Sequence, residues 1–193
     1  MKKSILKGIV LAGALLSASV AAQAVPLPSN AGPLATETSF NTVFNSIGGA
    51  SSISFDLLGY TSLDGVNCCT DTFHLSLNGT EILQGSYNLG GGGANVTNIN
   101  LGSFLFAGLN NDPNFNGFTN GQISISGLLN LLVGSNTLTF GYTSPSGFQG
   151  LGDEGWGVAN LNVSSVPVPP AALLLGSGLL GLAGLRRRKA AKR

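Results

Sequence analysis

The chain has 193 residues, with nine Lys and Arg against eight Asp and Glu, and a formal net charge of +1. The charges are segregated: Lys2, Lys3 and Lys7 stand at the front, Arg186, Arg187, Arg188, Lys189, Lys192 and Arg193 at the back, and all eight acids between them. Residues 25–166 therefore carry a formal charge of −8 and no cation for a phosphate backbone, which excludes nucleic acid as a partner.

In chain order, residues 1–24 have the form of a secretory signal peptide. A basic start (Lys2, Lys3, Lys7) precedes a run of apolar and small residues over 8–20, and Ala22, Gln23 and Ala24 fit the small-x-small cleavage rule. Cleavage is expected before Val25, after passage through the Sec translocon to signal peptidase. The apolar run is too short for a permanent span.

Residues 25–165 are expected to form one all-β domain, an antiparallel β-sandwich of jelly-roll type. Pro26, Pro28 and Pro33 mark an extended lead-in. Strict alternation then recurs over 52–57, 72–77, 122–126, 137–142 and 157–163, the pattern of half-buried antiparallel strands. Asn78-Gly79 predicts a two-residue hairpin. Residues 128–133 fit a helical turn or a buried strand, with a Gly134-Ser135-Asn136 turn after them. Gly90, Gly91, Gly92 and Gly93 lack the Lys and Ser/Thr of a phosphate loop and predict a flexible loop. Residues 110–120, rich in Asn and Gly, predict a long surface loop pinned by Phe115 and Phe118.

Residues 166–193 mirror the front. Pro167, Val168, Pro169 and Pro170 lead into an uncharged stretch of Ala, Leu, Gly and Ser over 171–185, closed by Arg186, Arg187, Arg188 and Lys189. An apolar run ending in a basic cluster is a stop-transfer pattern with the cluster on the cytoplasmic side. The domain is thus expected to lie between an N-terminal signal helix and a C-terminal transmembrane sorting helix.

The tail resembles the PEP-CTERM sorting signal in its Pro-x-Pro motif (Pro167, Pro169), apolar helix and Arg-rich end (Arg186, Arg187, Arg188); Val168 stands where that family has Glu. The resemblance implies handling by an exosortase-like membrane protease of a Gram-negative bacterium. It also implies delivery to the periplasm, outer surface or extracellular matrix, with a transient or permanent inner-membrane anchor. In the middle, residues 75–83 (Leu-Ser-Leu-Asn-Gly-Thr-Glu-Ile-Leu) and 128–142 resemble galactose-binding-like jelly rolls, and 153–163 resembles the closing strand of PEP-CTERM exported domains.

Three constellations bear on chemistry. Asp64, Asp71, Asp153 and Glu154 lie at loop or strand ends and are the residues expected to converge if the domain holds a structural Ca²⁺. Cys68 and Cys69 are the only cysteines, adjacent and destined for an oxidising compartment, where a vicinal disulfide, intermolecular bridges or two free thiols are the alternatives. The single histidine, His74, lies within an alternating strand opposite Phe73 and Leu75 and is expected to face solvent, leaving no residue for a catalytic triad. Trp156 reads as core more readily than as a sugar platform. The expectation is a non-enzymatic surface or matrix protein; the alternative is a module binding extracellular polysaccharide.

Overall fold

The computed structural model describes residues 24–25, 27, 30–110, 121–145, 147 and 149–166, all within one compact unit, Ala22–Val166. The signal and tail segments, including Ala22, Pro167, Pro169, Arg186, Arg187 and Arg188, lie outside the described residues, as do Phe115 and Phe118.

The described chain is all β. Its strands are β1 (Ala24–Val25), β2 (Asn30–Ala35), β3 (Thr38–Gly59), β4 (Leu63–Asp64), β5 (Thr72–Leu77), β6 (Thr80–Ser86), β7 (Gly90–Gly92), β8 (Val96–Asn100), β9 (Leu105–Asn110), β10 (Gly121–Thr143) and β11 (Gly155–Ser165). Nine of them form one antiparallel sheet in the order β1-β11-β3-β10-β5-β6-β8, with β2 on β11 and β9 on β10. Asn78 and Gly79 turn β5 into β6 with φ of 52° and 81°, the positive values a type I′ hairpin demands.

Two strands exceed the expected lengths. The alternating runs 52–57, 122–126 and 137–142 are parts of β3 and β10, which pair with each other from Gly121↔Gly59 to Tyr142↔Thr38. Residues 134–136 are therefore not a chain-reversing turn, and 128–133 is strand. Both ribbons change inward parity midway. In β3, Thr42 and Phe44 are buried, then Ser51, Ile53, Phe55 and Leu57; in β10, Ile123, Ile125, Leu129 and Leu131 are buried, then Asn136, Leu138, Phe140 and Tyr142. Since side chains alternate strictly along a strand, such a switch requires a bend at which the ribbon turns over.

The residues at the bend explain it. Gly48, Gly49 and Gly134 have φ of 83°, 90° and 92°, values open to glycine without a Cβ penalty. Asn136, fully buried, replaces ladder partners there. Its Oδ1 accepts from Leu132 N–H at 2.9 Å, and its Nδ2 donates to the Leu132 and Gly134 carbonyls at 2.9 and 3.1 Å.

Doubling β3 and β10 over gives two sandwich-like layers around one core. Phe55, Phe73, Phe140 and Tyr142 meet there with ring centroids 5.3–6.5 Å apart, and Trp156 packs 5.6 Å from Tyr142.

The doubling also gives the domain two poles. Both ends of β3 lie at one pole, because Thr36, just before Thr38, hydrogen-bonds Glu154, just before the Trp156↔Gly59 pair. The bend forms the other. Eight steps along β3, from Ser51 to Gly59, separate them, about 26 Å at ~3.3 Å per step.

The four-glycine run is not a flexible loop. β7 lies parallel to β4 so closely that a Cβ on Gly93 would stand 2.8 Å from the Gly65 backbone, and Gly93 has φ of 81°. Steric overlap and left-handed strain act together, so Gly93→Ala is expected to cost roughly 2–4 kcal/mol. A urea midpoint unchanged by the substitution would show that this contact does not hold the loop.

Candidate functional site

The first pole gathers the buried carboxyls of the described residues, Asp71 and Glu154. The loop after β4 is closed by a reciprocal pair: Asp64 N–H donates to Asp71 Oδ2 at 2.8 Å, and Asp71 N–H to the Asp64 carbonyl at 3.1 Å. Asn67 braces it, donating to Asp64 Oδ1 at 2.6 Å and accepting from Cys69 N–H at 2.6 Å. The loop before β11 brings Glu154, whose Oε2 accepts from the Thr36 hydroxyl at 3.0 Å and Oε1 from Gln149 at 2.5 Å. Asp153 accepts from Ser62 through its carbonyl at 2.8 Å and its Oδ1 at 3.3 Å. Glu37 Oε1 accepts from Ser144 N–H at 2.7 Å.

Among the described residues, three buried side-chain oxygens lack a well-formed hydrogen bond: Asp71 Oδ1, Tyr142 OH and Ser144 Oγ. All three share this pole: the Asp71 charge acts on Tyr142, and the Ser144 hydroxyl lies beside both Asp71 and Glu154 and favours their charged forms. Burial pushes the Asp71 carboxyl up to about 6, reinforced by the Glu154 and Asp64 charges and opposed by the Asp64 N–H bond. Burial also raises Glu154, with Asp153 and Asp64 adding to the effect. Burial, then the Asp71 charge, holds the Tyr142 hydroxyl well above its usual range.

Asp64, Asp71, Asp153 and Glu154 thus share one pole. Among the described residues, however, no three His, Cys, Asp or Glu side chains are placed to hold a metal ion together. Asp71, at 0 % exposure, is also closed to a polymeric substrate. The arrangement stores a buried, protonatable carboxyl that ties the loops after Ala35, Asp64 and Thr143 to the start of β11.

Cys68 and Cys69 cap the loop at its exposed tip, with sulfurs 2.7 Å apart. The neighbouring Cys68 thiol pushes Cys69 up to about 11, and the Asp64 and Asp71 charges add to this. A reduced Cys69 is therefore a poor nucleophile. In an oxidising medium the pair is expected to close as a vicinal disulfide, read as a two-hydrogen mass deficit in the peptide spanning 65–71 under non-reducing conditions. Quantitative alkylation of both thiols in freshly isolated protein would contradict it.

His74 lies on the outward face of β5, as its alternation predicts. It bridges two neighbours the sequence did not single out: Nδ1 meets Glu81 Oε1 at 2.5 Å and Nε2 meets Thr143 Oγ1 at 2.9 Å. Their connection has the order nucleophile, base, orienter. It lies flat on three adjacent strands, where the flanking backbone is engaged in the Gly141↔His74 and Thr143↔Thr72 pairings.

Trp156 is fully buried and donates Nε1–H to the Ala35 carbonyl at 2.9 Å, so it is core and no sugar platform. The large apolar residues exposed among the described residues are aliphatic, while Phe40, Tyr60 and Phe106 are half-buried aromatics.

No protein-family model matches the chain, and no curated protein matches it.

Proposed function

We propose that the protein is an exported, non-enzymatic surface or extracellular-matrix protein. Its signal peptide is removed before Val25, and its β domain is anchored or released through the PEP-CTERM-like tail by an exosortase-type enzyme. One observation supports this reading: among the described residues the sheet runs from β1, which straddles the expected cleavage point before Val25, to Ser165, two residues before Pro167. Val166 still donates its N–H to the Ala50 carbonyl at 3.0 Å, one residue before Pro167. The long β3–β10 ribbon, doubled over, is how a jelly roll is wound, which supports the finer reading of the fold.

Stopping the chain after Val166 in the native host is the test. The truncated protein is expected to fold but to leave the surface fraction for the periplasm. Undiminished surface delivery without residues 167–193 would overturn the proposal.

A further inference from the structure

We infer that the reduced Cys68–Cys69 pair is a chelating site for a neutral trivalent arsenical, bound through both sulfurs with one arsenic per chain.

The two thiols are neighbours in sequence, both exposed, and their sulfurs stand 2.7 Å apart in the loop between β4 and β5. The turn that carries them is fixed by other side chains. Asn67 Oδ1 accepts from Cys69 N–H at 2.6 Å, and Asn67 Nδ2 donates to Asp64 Oδ1 at 2.6 Å. Asn67 N–H donates to Thr70 Oγ1 at 3.0 Å, and the Thr70 hydroxyl donates to the Asn67 carbonyl at 3.1 Å. The reciprocal bonds between Asp64 and Asp71 close the base of the loop. Both thiols are thus presented together before a ligand arrives, which lowers the ordering cost of engaging the second.

The donor set decides what the site can take. Among the described residues, no third His, Cys, Asp or Glu joins the two sulfurs in a group able to hold a metal ion. A structural zinc takes four protein ligands, so two sulfurs do not make a zinc site. A linear two-coordinate ion such as Cu(I) needs its sulfurs on opposite sides, and these lie together on one. Trivalent arsenic is pyramidal. It takes two sulfurs from one side and keeps its third position for a substituent of its own.

Charge selects in the same direction. The Cys68 thiol foremost, and then the Asp64 and Asp71 charges, keep Cys69 protonated. Residues 25–166 carry eight acids and no Lys or Arg, so an anionic reagent is repelled. An arsenous group is uncharged at neutral pH and meets no such barrier. The reaction balances without a redox partner. Two As–S bonds form and two As–O bonds break, each thiol proton leaves with a hydroxyl as water, and arsenic stays trivalent. The disulfide form has no thiol to give, so oxidation and arsenical binding exclude each other.

The probe is phenylarsine oxide, which in water presents one phenyl and two hydroxyls on trivalent arsenic. The full chain is reduced, freed of reductant under argon and titrated. One arsenical per chain is expected by intact mass, with both thiols lost to titration. Ethanedithiol is expected to release it, and the same concentration of mercaptoethanol is not. Cys68→Ser and Cys69→Ser are each expected to weaken binding at least about 100-fold, the order of advantage a second tethered contact gives. Both positions are exposed, so the urea midpoint should not move with either substitution. A chain oxidised beforehand should take up none. Stoichiometry and release are read on the parent chain and stand apart from the variants. Two arsenicals per chain, binding that survives either serine, uptake by the oxidised chain, or one arsenic bridging two chains at twice the mass would each overturn the inference.

Discussion

Trp156→Ala is expected to destabilise the domain by about 3–5 kcal/mol, the cost of emptying a large aromatic site in a well-packed core. Trp156 is fully exposed to none of the solvent, stacks beside Phe40 and Tyr142, and satisfies the Ala35 carbonyl at the end of β2. The alanine leaves a cavity and removes one of the two donors to that carbonyl, the other being the Thr38 hydroxyl, adding to the loss. Against a typical domain stability of 5–15 kcal/mol, the midpoint of thermal unfolding should fall by at least about 10 °C. Trp156→Phe should recover most of the packing but not the hydrogen bond. If Trp156→Ala melted within a few degrees of the parent chain, the pinning of β2 to β11 by this ring would be wrong.

Asp71→Asn is expected to act in the opposite direction. The buried carboxyl titrates at about 6 when folded, against 3.8 as its ordinary value. A folded-state value above the unfolded one means that the native state holds the proton more tightly. The associated stability is complete below about pH 4 and is lost as pH rises through about 6, because the charged form is then buried. Asparagine keeps an oxygen for the Asp64 N–H and offers an NH₂ towards Ser144 and Tyr142, without the charge. At pH 7.5 it should stabilise the domain by roughly 1–2 kcal/mol, a discounted fraction of the 1.36 kcal/mol per pK unit, with the gain shrinking to nothing near pH 4. Urea melts at both pH values read this directly. Destabilisation at pH 7.5, together with a parent chain stabilised by added Ca²⁺, would mean that the carboxylate serves a cation after all.

The strand class and several strand positions were legible because alternation of one polar and one apolar face is a local signal. Residues 72–77 and the Asn78-Gly79 hairpin emerged as read. The continuity of β3 and β10 was not legible. Gly48-Gly49 and Gly134-Ser135-Asn136 are punctuation in sequence, and only the partner strand decides whether such punctuation reverses a chain or bends it. Gly90 to Gly93 misled for a related reason, since glycine serves both looseness and close approach, and the approach is to Gly65, 28 positions away. At the acidic pole, the four acids were visible as loop-end residues. Ser144, Tyr142 and Thr36 were not, because their roles come from burial beside Asp71 and Glu154. The Glu81 and Thr143 partners of His74 are likewise set by strand register.

The most direct measurement is the intact mass of the mature protein from its native host, with membrane and medium fractions taken separately. A chain beginning at Val25, ending near Pro167 and recovered outside the membrane is the predicted result. A chain retaining its C-terminus through Arg193, found only in the membrane, would contradict the sorting reading.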